Sequence, residues 1–309
     1  PNRPRQVVAT ASYEARAFGV RSGMPLRTAA RRCPDAVFLP SDRPAYDQAS
    51  ERVMAALRSF AAVVEVWGWD EAFVGVRTDD PEAFASSLRT TVHDATGLTC
   101  AVGIGETKLQ AKTATSFAKA SRPDAVARLT RAEWIPTMGH QPVTALWGVG
   151  ARTAKRLDEL GVRTVADLAR ADETALARAF GPGIGPHLKV LGLGGDDAPV
   201  GDEPHVARGR SREVTFTHDL TGPAEVAEQV ALLAAELTAT VVADGRRVTH
   251  VAVKLRTDTF FTRTKITKLP APTTDVAEVV AGAQRVIDRY ELTDPMRPIR
   301  LVGVRVVLE

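Results

Sequence analysis

From residue 194 the chain reads Gly-Gly-Asp-Asp-Ala-Pro-Val-Gly-Asp-Glu-Pro, a run that can continue neither a helix nor a strand. It separates the chain into parts with different patterning. Beyond it, strands are expected near 208–217, 248–257, 260–269 and 299–308, with helices over 224–243 and 276–290. That βαββαβ succession is the one a small ferredoxin-like domain uses. Before it, residues 127–195 read as short helices broken by glycine. Residues 1–126 read as mixed α/β: a strand over 5–10, helices near 12–18, 25–33, 45–61, 81–96 and 108–120, and strands within 63–76 and 99–104.

The 309 residues carry a formal net charge of +3 and a pI near 9.0, which permits a polyanionic partner without requiring one. No apolar run approaches the roughly 18 residues of a membrane span, and no leader is expected ahead of the polar PNRPRQ start. Cys33 and Cys100 stand far apart with no ligand spacing around them, so reduced thiols in a cytoplasmic protein are expected, and no zinc site.

Four stretches carry chemistry. In VVATASYEARAFGVRSGMPL, Thr10 precedes a helix on which Tyr13 and Arg16 fall three apart on one face. A hydroxyl, a phenol and a guanidinium beside a helix start suit a polyphosphate. A surface helix with Tyr13 stacked on Arg16 satisfies the same pattern. In VEVWGWDEAFVGV, Asp70 and Glu71 sit at the apex of a hairpin that Gly68 permits, where paired hard oxygens suit Mg²⁺ shared with phosphates. A solvated turn is the competing account, and Trp67 and Trp69 are expected to pack on one face. Lys108, Lys112 and Lys119 then mark one stripe of a helix, able to counter nucleotide phosphates or simply solvated.

ALWGVGARTAKRLDELGV resembles a helix-hairpin-helix clamp on the DNA backbone, with Gly148 and Gly150 admitting a phosphate and Arg152 beside it. AFGPGIGPHL at 179–188 reads as a weaker second turn. In the last domain, Arg208, Arg210 and Arg212 share a face of one strand, His250, Lys254 and Arg256 of the next, and Arg263 and Lys265 of a third. Together they suggest a basic sheet face opposite the helices, able to lie against duplex DNA.

Taken together, these motifs resemble a Y-family translesion DNA polymerase of the DinB branch, over the whole chain. The resemblance implies an α+β multidomain right hand: palm over 1–8 and 43–126, fingers over 9–42, a helical thumb over 127–195, a linker over 196–206 and a ferredoxin-like little finger over 207–309. It implies that Asp70 and Glu71 hold two Mg²⁺ ions, and that Thr10, Tyr13, Arg16 and Lys119 hold the β- and γ-phosphates of a dNTP. Ser22 and Gly23 would roof the nascent base pair, and thumb and little finger would track primer–template DNA. Gly68 and Trp69 replace the family's usual Ser and Ile, and Thr107 stands where Asn is more common. The family's N-terminal metal-binding strand, of the form D-x-D-x-F-F, is not in this sequence. The chain is therefore expected to be a fragment that binds DNA and polymerises poorly or not at all. No clamp-binding tail follows Glu309, so a sliding-clamp partner is unsupported there, and nothing argues against a monomer. The rival expectation is a non-catalytic DNA-binding repair factor that keeps the clamp and the basic sheet.

Overall fold

The computed structural model describes residues 5–121, 125–195, 198–204 and 206–309. Residues 1–4 and 122–124 of the expected palm, and 196, 197 and 205 of the expected linker, lie outside the described residues. Two compact units form: one joins the chain up to Ser41 with its C-terminal part to Glu309, and the other runs from Asp42 to Pro204.

At the N-terminal end, Ser12 caps α1 (Tyr13–Ala17) by accepting the Ala15 N–H at 3.3 Å, and α2 (Leu26–Arg32) follows Pro25. The strand expected over 5–10 does not form. Val8 exchanges backbone hydrogen bonds of 2.8 Å with Met24 and Gly23, and Val7 makes an isolated bridge to Pro25. Leu26 still donates to the Gln6 carbonyl at 3.0 Å, but it is also the first residue of α2, so the pairing ends there.

In the second unit, α3 (Arg43–Arg58) is capped by Asp42 and leads into the antiparallel hairpin β1 (Val63–Val66) and β2 (Ala72–Gly75), with Val66 opposite Ala72. Asp80 caps α4 (Pro81–Thr96), which ends at Gly97. Strand β3 (Val102–Ile104), helix α5 (Lys108–Ser121) and strand β4 (Val126–Arg128) form a parallel crossover. β3 lies so close to α5 that a Cβ on Gly103 would fall inside contact distance of the Ala111 carbonyl and the Thr115 amide.

The helical region comprises α6 (Arg131–Met138), α7 (Ala151–Asp158), α8 (Val165–Arg170), α9 (Glu173–Phe180) and α10 (Ile184–Gly192). Capping boxes start α6 (Thr130 with Glu133) and α8 (Thr164 with Asp167). Its core gathers Trp134, Leu157, Leu168, Leu176 and Leu188, and Leu109 and Ala114 of α5 belong to the same cluster. Trp134 donates its indole N–H to the Gly192 carbonyl at 2.8 Å, so its one polar atom is satisfied inside that core.

The C-terminal part folds as β5 (Gly209–Leu220), α11 (Pro223–Ala243), β6 (Val248–Thr257), β7 (Thr262–Thr273), α12 (Val276–Asp288) and β8 (Ile299–Leu308). The succession is the expected one. Pairing is antiparallel throughout in the order β5-β8-β6-β7, which places the last strand beside the first, an arrangement that succession alone leaves open. By length and composition α11 is long and apolar enough to cross a membrane. Here its Val226, Val230, Leu233, Leu237 and Val241 pack with Val251, Val253, Val302, Val304 and Val306 of the sheet, as a core helix does.

Candidate active site and nucleic-acid interface

The carboxylate hairpin closes through its backbone: the Glu71 carbonyl accepts the N–H groups of Trp67 (2.9 Å) and Gly68 (3.2 Å). Asp70 is left exposed at the apex. Helix α5 lies against this hairpin. Lys108 pairs with Glu65 on β1 at 2.5 Å, and one turn further Lys112 pairs with Glu71. Lys119, in the last turn of the same helix, is exposed. Thr107 starts this helix by accepting the Gln110 N–H at 3.2 Å and donating to the Gly194 carbonyl at 2.6 Å. Asp70, Glu71 and Lys119 thus belong to one unit.

Glu65 carries more than Lys108. Its carboxylate also accepts the Trp67 indole N–H at 2.7 Å and the Gly201 backbone N–H at 2.8 Å. Burial works to raise its pKa, yet the hydrogen bonds from Lys108, Gly201 and Trp67 together hold it below the ordinary value of 4.5.

Trp67 and Trp69 do not pack on one face. Trp67 meets Phe73 and, at 5.0 Å between centroids, Trp147, whereas Trp69 meets Tyr46 at 6.0 Å with Arg43 over its ring. β1 ends at Val66 and the turn begins at Trp67, so strand alternation no longer applies. Trp147 in turn has Lys112 over its ring at 5.9 Å. The residue preceding the glycine turn of the clamp therefore touches Lys112 of α5 and Trp67 of the hairpin that carries Glu71, a contact that sequence separation conceals.

In the other unit, the Arg16 guanidinium stacks over the Tyr13 ring at 5.2 Å, and its Nε donates to the Ala11 carbonyl at 2.9 Å. Thr10, Tyr13, Ser22 and Gly23 are exposed, and Gly23 turns the chain at φ +82°. The stacked pair fits the surface-helix account as well as the phosphate account.

At the glycine turn, Gly148 has φ +92°, a conformation open to glycine at little cost, and Gly150 opens α7 without a side-chain cap, leaving its first N–H groups unclaimed by one. Neither glycine has a neighbour where a Cβ would sit, so the turn presents bare backbone beside exposed Arg152. Arg156 is turned away: it donates to the Ala179 carbonyl and stacks on Phe180 at 4.4 Å.

The basic sheet needs correction. His250, Lys254 and Arg256 share the face of β6 opposite the helices, as expected, because Val251, Val253 and Leu255 fill the core. Arg210 and Arg212 lie opposite buried Val306 and Val304, on the helix side, where they pair with Asp244, just past the end of α11, and Glu236 of α11. Arg208 precedes β5 and is exposed. Arg263 and Lys265 lie opposite Leu255 and Val253, also on the helix side, and Lys265 donates to the Arg289 carbonyl beside the Tyr290 ring. Register rather than alternation decides the face. It brings two residues not anticipated, Lys268 and Arg305, level with His250 and Ala252 on the open face. Gly209, Ser211, Ala252, Thr264 and Gly303 floor a trough there of about 460 Å³, with Lys254 paired to Glu213 at its edge.

Comparison with known proteins gives a consistent picture. Residues 1–116 match the impB/mucB/samB family, 208–307 its C-terminal domain, and 141–188 a SAM-like helix-hairpin-helix tandem. "DNA polymerase IV 2" of Mycobacterium tuberculosis is 50% identical over 311 residues, spanning 100% of this chain and 88% of its own. "DNA polymerase IV" of Methanoculleus marisnigri is 36% identical over 97% of this chain and 82% of its own. Among solved structures, a Y-family DNA polymerase chimera, Dbh-Dpo4(243-245)-Dbh, superposes with a TM-score of 0.84 at 22% identity, covering 97% of this chain and 87% of its own.

Proposed function

This chain belongs to the Y family of translesion DNA polymerases, in its DinB branch, and on that premise we propose which of its residues extend a primer along a template. Asp70 and Glu71 would hold Mg²⁺. Two adjacent hard-oxygen donors at an exposed apex fit that ion, which keeps waters and takes one or two carboxylates together with substrate phosphates. No group of three or more His, Cys, Asp or Glu suited to a metal occurs among the described residues. When bound, a pair of such ions activates the primer hydroxyl and neutralises charge on the transferring phosphate.

The chain's own contributions are positional. Lys112 fixes the Glu71 carboxylate by its ion pair. Thr10, Tyr13, Arg16 and Lys119 are the proposed ligands of the dNTP phosphates. Ser22 and Gly23 offer little bulk over the nascent pair, which suits a site that admits damaged templates at low fidelity. The glycine turn with Arg152, and the open sheet face with His250, Lys254, Arg256, Lys268 and Arg305, are the proposed contacts to primer–template DNA. We name residues 1–8 and 43–126 palm, 9–42 fingers, 127–195 thumb and 207–309 little finger on this basis. The observation that supports the assignment best is the Asp70–Glu71 apex set against the lysine stripe of α5.

Primer extension with Mg²⁺ and four dNTPs tests it on the full-length protein. Asp70→Ala is expected to abolish extension while DNA affinity stays within about twofold. A large loss of DNA binding would make Asp70 a structural residue instead.

A further inference from the structure

The β6–β7 hairpin ends in an aromatic pair that stands largely in solvent. Phe260 is 63% and Phe261 62% exposed. The turn closes when Thr257 donates its N–H to the Phe261 carbonyl at 2.9 Å and Phe260 donates to the Thr257 carbonyl at 3.0 Å. Asp258, Thr259 and Phe260 form its loop, and Phe260 takes the left-handed position at φ +64°. That position ordinarily goes to glycine in a three-residue hairpin, because a Cβ is strained there. The chain thus sets a large apolar ring where glycine would be cheaper and water meets it.

What surrounds the ring selects the occupant. Arg300 stacks its guanidinium over Phe260 at 4.8 Å, and Arg256 is fixed beside the turn by its Nε–H bond to Thr262 at 2.8 Å. Asp258 is the sole carboxylate among residues 256–263. Exposed rings beside guanidinium groups suit a base with its phosphate: the ring supplies a stacking surface and the cations meet the backbone. Inside a continuous duplex each base face is already covered by its neighbours, so such a ring suits an unpaired base of a single-stranded segment.

We propose that Phe260 and Phe261 form a stacking platform for an unpaired base of the template strand, a contact separate from the phosphate contacts of the open sheet face. This rests on the polymerase assignment above. The platform gives the enzyme a preference for templates with a single-stranded extension over blunt duplex.

The test compares fluorescence-anisotropy affinities of the full-length protein for one duplex, blunt and with a ten-nucleotide template overhang. Phe260→Gly and Phe261→Ala are each expected to weaken overhang binding about tenfold, the size of one base–aromatic stack, and to leave blunt-duplex binding unchanged. Phe260→Tyr, which keeps the ring, is expected to retain wild-type affinity. Phe260→Gly is also expected to melt no lower than wild type, because it relieves the backbone. Unchanged overhang affinity in both truncations would overturn the platform and leave the hairpin to a protein partner. Equal losses on both substrates, or a clear fall in melting temperature for Phe260→Gly, would overturn it too, whereas primer extension retained by the same variants keeps the polymerase assignment standing.

Discussion

Lys112 reaches two groups at once, the Glu71 carboxylate and the face of Trp147. Its side chain is 26% exposed and that of Glu71 45%, so the ion pair stabilises the fold by no more than about 1 kcal/mol. Lys112→Met should therefore leave urea stability within about 1 kcal/mol, yet free Glu71 from its fixed position. Primer extension at saturating dNTP should fall on the order of tenfold to a hundredfold, the cost of a small misplacement of a reacting group. Glu65 behaves differently because three donors converge on a side chain only 21% exposed. Glu65→Gln should cost about 1–3 kcal/mol near neutral pH, read by urea denaturation. Since its folded pKa lies below 4.5, that contribution is fully present above this value and is lost as pH falls through the lower folded value. The gap between wild type and variant should close on acidification. Asp70 and Glu71 were legible in sequence because an adjacent acid pair beside Gly68 marks an apex. The divergence of Trp67 and Trp69 was not, since alternation holds only while a strand continues.

At the scale of elements, the C-terminal four-stranded sheet shows what alternation conveys and what it omits. A period of two tells which residues of one strand share a side, and both Arg210/Arg212 and Lys254/Arg256 obey it. It does not tell which side of one strand meets which side of the next. That is set by register, and register here puts Arg210, Arg212, Arg263 and Lys265 with the helices. The DNA affinity of variants should follow the sides. Alanine at Lys268 or Arg305 should lower the slope of log affinity against log salt by up to about 0.9 for each phosphate no longer neutralised. Alanine at Arg212 or Lys265 should leave the slope unchanged. The close approach of β3 to α5 is a second element-scale constraint. Gly103→Ala would drive a methyl into backbone at Ala111 and Thr115, and should cost at least about 3 kcal/mol in thermal or urea unfolding.

For the molecule as a whole, the names of a hand and the units of folding are cut along different lines. Leu109 and Ala114 of α5 share one cluster with Trp134, Leu157 and Leu176 of the helical region, so α5 and that region are stabilised together. Leu109→Ala, which removes about 2–5 kcal/mol from a buried site, should lower amide protection across α6–α10 as much as Leu157→Ala does, measured by hydrogen exchange. The helices themselves were legible from their caps and breaks; the shared core was not, because it is assembled by a parallel strand pair of three residues each. One further feature belongs to this scale. Past α10 the chain comes back to the carboxylate hairpin: Gly201 is bonded to Glu65, and Val200 rests where Gly75 has no side chain. In mechanical language, a tug on the chain beyond residue 201 is carried by two routes. One is the backbone, and the other is the single hydrogen bond and the packed side chain that hold Gly201 and Val200 to the two strands of the hairpin carrying Asp70.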